Sequence, residues 1–337
     1  MPQNTKLKRH GIIVLPTNDL GATFNPSVIK LDKKNYVMLV RSVPKGYKKI
    51  GPVNGFNSDY TSHLSLWRGT SPIEFELDEP HSVMPDKCFD RYGVEDPRIT
   101  KIGDTYYVLY TSLSIGLGEY NPGDGIRISM ASTTDFITYK KHGIIGPDRR
   151  SKAGTIFKTN GKVYLLWKDE KTADKKPRER TMLTIAPENF NDSQAWAEMW
   201  KKRNLENDVL ISAQNNTYEN YGIEPGAPPI EVDDGLLLVY SSISKDKKWT
   251  ISFMTLDKND PTKIISKTIA PCLVPEEDYE LYGDVNNVIF PCGAIIDDDR
   301  LYIYYGCADT FCAVASMDMN DVNNALKPFE NDPVESI

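Results

Sequence analysis

One pattern recurs five times along this chain and constrains its fold more than any other feature: an apolar segment, a polar turn holding Gly, Asp or Asn, then a β-rich run. The first copy is Asn25-Pro26-Ser27-Val28-Ile29, a turn over 32–35, and Tyr36-Val37-Met38-Leu39-Val40-Arg41. The second runs from Asp96-Pro97-Arg98-Ile99 through Gly103-Asp104 into Tyr106-Tyr107-Val108-Leu109-Tyr110-Thr111. Residues 153–157, Asn160-Gly161-Lys162 and 163–167 make the third; Pro228-Pro229-Ile230, Asp233-Asp234-Gly235 and 236–240 the fourth; 288–294, 297–299 and 301–306 the fifth. A further β-rich run follows each hairpin, at 63–67, 126–131, 182–185, 249–255 and 311–316. Each copy must bury its apolar face on a neighbour, and five equivalent copies of short strands satisfy that need by closing into a ring. The expected fold is therefore all-β, a five-bladed β-propeller forming one domain over 1–337, with blades near 22–76, 92–141, 150–190, 222–268 and 284–320. Helical periodicity is confined to 193–203, with a second short stretch at 317–326.

Composition narrows the partners. With 40 basic against 47 acidic residues the net charge is −7, and no Lys/Arg stripe interleaved with aromatics is present, which disfavours nucleic acid. No run approaches the ~18 apolar residues of a membrane span, and the apolar stretch at 11–16 is too brief for a signal sequence, so a cytoplasmic protein is expected. Five cysteines without a CxxC pair, and only four histidines, indicate neither a disulfide framework nor a metal site. Homo-oligomerisation is left open.

In a propeller the innermost strand of each blade lines the central channel, so the residues that open the first strands converge on one funnel. Those positions hold Asn25, Asp96, Lys152, Glu224 and Asp284. Polar groups focused on a concave site make it the candidate functional site. Glu95-Asp96-Pro97-Arg98 is the sharpest local feature, because the proline fixes the backbone after Asp96 and Arg98 stands close enough to orient its carboxylate. Glu224 lies in the stiff segment Ile223-Glu224-Pro225-Gly226-Ala227-Pro228-Pro229, suited to a backbone that passes close to a ligand. Glu280 stands in an acidic run with Glu276, Glu277 and Asp278, and Asp309 follows the strand end Tyr304-Tyr305-Gly306, where it either binds hydroxyls or caps a turn. Glycosidic cleavage needs one carboxylic acid to protonate the leaving oxygen and a second group to supply or activate a nucleophile. Asp96 with Glu224 or Glu280 fits these roles, and no nucleotide-binding loop or Ser-His-Asp order competes.

Six segments in order resemble glycoside hydrolase family 130: Asn25-Pro26-Ser27-Val28, Gly93-Val94-Glu95-Asp96-Pro97-Arg98, Asn160-Gly161-Lys162-Val163-Tyr164, Pro225-Gly226-Ala227-Pro228-Pro229, Gly283-Asp284-Val285-Asn286-Asn287-Val288-Ile289-Phe290 and Tyr304-Tyr305-Gly306-Cys307-Ala308-Asp309. The similarity spans about residues 20–320. It implies a five-bladed propeller that cleaves β-mannosides with inversion, as a hydrolase or as an inorganic-phosphate-dependent phosphorylase, without another cofactor. It also implies that Asp96 is the general acid, acting through a sugar hydroxyl, and that Asn25, Arg41, Arg98 and Asp309 bind the mannosyl unit. Glu95, Lys152, Lys168 and Asp284 complete the expected substrate-binding set.

Departures from the phosphorylase pattern bear on the nucleophile. This chain has Lys152 and Lys168 where the phosphorylases tend to show a basic residue and an Arg, and Tyr240-Ser241-Ser242 where they show Tyr-His-Gly. Glu224 falls where hydrolytic relatives carry Glu. Two lysines replace a guanidinium fork poorly, and a carboxylate beside the nucleophile repels phosphate and activates water. The expectation is thus an inverting, exo-acting β-mannosidase on manno-oligosaccharides, β-1,2-linked ones among the candidates, with the phosphorylase as first alternative and a non-catalytic sugar-binding propeller as the alternative from another class.

Overall fold

A computed structural model describes residues 7–17, 19–47, 49–50, 55–56, 61–115, 125–169, 180–213 and 217–329. Five antiparallel sheets succeed one another around a ring. Blade 1 has Leu20–Lys30 innermost, then Tyr36–Pro44, His63–Ser71 and Glu74–Leu77. Blade 2 runs Gly93–Ile102, Thr105–Leu113, Ile126–Thr133, Lys140–Ile144, and blade 3 runs Ser151–Thr159, Lys162–Asp169, Arg180–Ile185, Val209–Ser212. In blade 4 the inner strand is split into Gly222–Pro225 and Ile230–Val232, both paired with Gly235–Ile243, and Trp249–Leu256, Ile264–Thr268 and Leu326–Pro328 lie outside them. Blade 5 runs Ile289–Asp297, Arg300–Cys307, Phe311–Asp318.

The middle strands are buried along most of their length, with apolar runs at their centres, because both of their faces are covered by adjacent blades. Gly235–Ile243 is buried at all nine positions, so Leu236-Leu237-Leu238-Val239-Tyr240 reads as a continuous apolar run rather than an alternation. Helix Ser193–Lys202, capped by Asp192, covers blade 3 through the buried Trp196, and its place before Val209–Ser212 carries that blade beyond the expected limit at 190. The second expected helix begins only at Met319, since Met317 and Asp318 finish the strand Phe311–Asp318.

The ring is closed by Lys8–Val14, which pairs antiparallel with Phe311–Asp318 as the outer strand of blade 5. That strand escaped the sequence analysis because its half-buried residues show neither alternation nor a continuous apolar run. Its clasp is Arg9, whose guanidinium reaches the carboxylate of Glu280 at 3.0 and 3.2 Å. Glu280 itself has no exposed side-chain surface, accepts from the Tyr305 hydroxyl at 2.9 Å and from the N–H groups of Glu276 and Glu277, and completes a capping box on helix Asp278–Leu281. This corrects the expectation that Glu280 takes part in catalysis: its carboxylate is spent on Arg9, on Tyr305 and on the cap of its own helix.

Breaking a buried ion pair leaves its partner uncompensated, at about 3–5 kcal/mol. Glu280→Ala should therefore lower unfolding stability by about 3 kcal/mol in urea titrations, since Arg9 and Tyr305 lose their shared acceptor. A loss below about 1 kcal/mol would show that the clasp contributes little.

Candidate active site

The inner strands do not run straight past the axis. In blade 1 the register with the next strand slips between Phe24 and Ser27, in blade 2 between Glu95 and Arg98, in blade 3 between Lys152 and Thr155, and in blade 5 between Pro291 and Gly293. Each slip is a bulge, and in the first three blades it holds a non-glycine residue in the left-handed region: Asn25 at φ 53°, Asp96 at 51° and Ala153 at 52°. Pro26 and Pro97 follow directly, where the ladder is already broken and a missing N–H costs nothing. Asn25 and Asp96 thus sit inside their strands at bulges, not at strand openings as expected. Asp284 also departs from expectation, because it precedes the fifth inner strand, whose bulge carries the buried Cys292 instead.

The bulge in blade 2 has a chemical consequence. Adjacent residues of a regular strand face opposite sides, so one cation cannot reach both. Here Arg41 of blade 1 donates through Nη2 to Glu95 Oε1 at 2.6 Å and through Nη1 to Asp96 Oδ1 at 3.1 Å. Its guanidinium lies over the Phe24 ring, 4.5 Å from the centroid. Asn25 donates its amide to Asp96 Oδ1 at 2.7 Å, and Ser62, unmarked in the sequence, donates to Glu95 Oε1 at 3.2 Å. The Asn25 side chain requires Gly306 opposite it, since a Cβ there would fall 2.1 Å from Asn25 Oδ1.

Arg98 departs from its expected role as a sugar ligand. It is buried, donates to the main-chain carbonyls of Asp96 (2.8 Å), Gly226 (2.9 Å) and Pro225 (3.2 Å), and lies over Phe290. It ties blades 2, 4 and 5 together beneath the site and acts on Asp96 by its charge. Gly226 permits this convergence, for a Cβ would meet Val239 O at 2.4 Å and Pro291 Cγ at 2.8 Å. Across the funnel, Lys168 Nζ lies 2.8 Å from Glu224 Oε2, both side chains buried, and Lys152 is the cross-strand partner of Lys168. Ser241 faces Glu224 in register, and its buried hydroxyl has no hydrogen-bond partner among the described residues.

Three carboxylates share the field of Arg41 and Lys152. Burial raises Glu95 to about 7, Arg41 opposing and the Asp96 charge adding to it. Burial pushes Asp96 the same way, but Arg41, Arg98, the Asn25 amide and Lys152 together hold it below its ordinary value. Burial, with the charges of Asp96 and Asp284, raises Asp309 to about 6 against Arg41 and Lys152. Asp309 stands in the turn after Arg300–Cys307 at φ 52°, and Asp284 is held by the Tyr47 hydroxyl. The Glu95–Asp96 pair consequently titrates as a unit and gives up its shared proton at about pH 7. Among the described residues no group of three or more His, Cys, Asp or Glu side chains is placed to hold a metal ion.

Comparison with known proteins gives this geometry a family. The family model described as β-1,4-mannooligosaccharide phosphorylase matches residues 2–328. The chain belongs to glycoside hydrolase family 130. It is 31% identical over 306 residues to a 1,2-β-oligomannan phosphorylase of Thermoanaerobacter sp., covering 90% of this chain and 92% of that one. A β-1,2-mannobiose phosphorylase of Thermoanaerobacter sp. is 34% identical over 74% of this chain and 75% of its own. The structure of the β-1,2-mannobiose phosphorylase from Listeria innocua, in complex with β-1,2-mannobiose, superposes with a TM-score of 0.76 at 23% identity, covering 95% of this chain and 99% of that one. The five-bladed propeller is thereby the family fold, and the protein is an enzyme of the glycoside hydrolase or mannoside phosphorylase kind.

The shared proton predicts a pH signature. Below about 7 the Glu95–Asp96 pair keeps its proton, and above it the proton is lost, so kcat/KM should fall as pH rises through about 7. Glu95→Gln removes the raised carboxyl of the pair and leaves Asp96, held below its ordinary value, to titrate alone, so that falling limb should move to lower pH. A limb in the same place in both proteins would detach Glu95 from the acid.

Proposed function

We propose that this enzyme is a phosphorylase that removes the non-reducing mannosyl unit from β-1,2-linked manno-oligosaccharides, with inversion and with inorganic phosphate as co-substrate. The observation that carries the choice of nucleophile is the buried Lys168–Glu224 pair with Lys152 beside it. Read from sequence, Glu224 is an anion that bars phosphate; paired at 2.8 Å with Lys168 it is neutralised, and Lys152 stands beside the pair in register with Lys168. The Ser241 hydroxyl adds a donor on the same face. The curated relatives are phosphorylases, which supports the same reading.

In this mechanism Asn25, Arg41 and Asp309 hold the terminal sugar at the base of the funnel. A phosphate oxygen attacks the anomeric carbon from the Lys168 side while the bond to the bridging oxygen breaks. That oxygen takes a proton, through a sugar hydroxyl, from Asp96, which draws on the proton it shares with Glu95. The products are α-mannose 1-phosphate and a chain one sugar shorter. The second reading is hydrolysis with Glu224 as base, and what favours it is a buried carboxylate on this face while Tyr240-Ser241-Ser242 offers no histidine.

Initial rates on β-1,2-mannobiose should saturate with phosphate and yield mannose 1-phosphate. Lys152→Ala should raise the KM for phosphate at least about tenfold, and Asp96→Asn should lower kcat by about 100-fold or more. Turnover in phosphate-free buffer with free mannose as product would establish the hydrolase instead.

A further inference from the structure

Next to the segment that packs on the Asp309 turn stands one aromatic ring that the reaction as described does not use. Tyr282 is 65% exposed, and among the described residues it is the only strongly exposed aromatic side chain. A solitary solvent-facing tyrosine means little by itself. What distinguishes this one is its attachment. It caps helix Asp278–Leu281 through a hydrogen bond from its N–H to the Asp278 carbonyl at 2.9 Å, and that helix is locked to the ring closure through Glu280.

On its other side Tyr282 is followed by Gly283 and Asp284, which press on the turn that carries Asp309. A Cβ at Gly283 would lie 2.5 Å from the Ala308 carbonyl and 2.6 Å from Thr310 Oγ1. The N–H of Asp284 donates to Thr310 Oγ1 at 3.0 Å, and that of Val285 to the Ala308 carbonyl at 3.1 Å. Tyr282 is therefore fixed two residues from a carboxylate whose charge reaches Asp309.

We infer that Tyr282 is a sugar platform on the leaving-group side of the scissile bond, stacking on the apolar face of a mannosyl ring beyond the first two. This rests on the proposed manno-oligosaccharide substrate. With the terminal sugar deepest, later sugars point towards the rim, and a rigid, amphipathic ring on a braced backbone binds a pyranose face at little entropic cost. Tyr282 thus sets chain-length preference, while Asn25, Arg41 and Asp309 set the identity of the terminal sugar.

The test is calorimetric binding of β-1,2-mannobiose and β-1,2-mannotetraose to the Asp96→Asn protein, with and without Tyr282→Ala or Tyr282→Trp. The tetraose should bind tighter than the biose, Tyr282→Ala should reduce that ratio about five- to tenfold, and Tyr282→Trp should preserve it. Steady-state kcat/KM ratios in the Asp96-intact proteins should follow the same order. A ratio that Tyr282→Ala leaves unchanged, or equal loss on both ligands, overturns the platform alone. Failure of the Asp96→Asn protein to bind either saccharide, with no turnover by the wild type, overturns the substrate reading and the platform with it.

Discussion

The contact of Arg41 with Glu95 and Asp96 is the interaction on which the rest of the site depends. A single guanidinium bridges two consecutive carboxylates only because Asp96 occupies a bulge at φ 51°. The contact crosses from blade 1 to blade 2, so the geometry of the acid is set by how two blades pack, not by either strand alone. A charge placed this way also decides where the proton rests. Arg41 holds Asp96 ionised in the free enzyme while burial leaves the proton on its neighbour, and a sugar hydroxyl arriving at Asp96 can redistribute it without exchange with bulk water.

The remainder of the frame keeps that contact fixed. Arg98 ties the main chain of blade 2 to that of blade 4 across the axis, and Arg9 with Glu280 closes the ring behind blade 5. Arg98 is buried and Arg9 half-buried, and both look, from their residue types, like ligand-binding or surface groups. Their donors are spent on carbonyls and on the carboxylates of Glu276 and Glu280 instead. Such interactions contribute specificity of arrangement: each satisfied partner is expensive to orphan, and five blades converging on one funnel must settle in one register.

The ring of five blades was legible in the sequence because a hairpin that must stack on its neighbours repeats its apolar pattern, and the chain does so five times. Asn25 and Asp96 were legible as groups that converge on the funnel, though expected at strand openings rather than at bulges, and Arg41 entered only through the family resemblance. Other features lay beyond sequence reasoning for physical reasons. Whether Glu280 or Arg98 meets a substrate depends on which partner reaches it across 271 or 128 positions of chain, and no local pattern encodes that. The strand Lys8–Val14 takes its structure from pairing with the far end of the chain. The weight of Glu224 changed for the same reason: alone it is an anion that excludes phosphate, and beside Lys168 it is half of a neutral pair.

The account predicts one arrangement that a single structure decides. Crystals of the Asp96→Asn protein soaked with β-1,2-mannotetraose and phosphate should show the non-reducing sugar at the base of the funnel, its hydroxyls within hydrogen-bond distance of residue 96, Asn25 and Asp309. Phosphate should lie beside Lys168 and Lys152 on the opposite face of the anomeric carbon. A saccharide bound with its reducing end deepest, or a terminal sugar held away from Arg41 and its two carboxylates, would contradict the central claim that this cluster carries the chemistry.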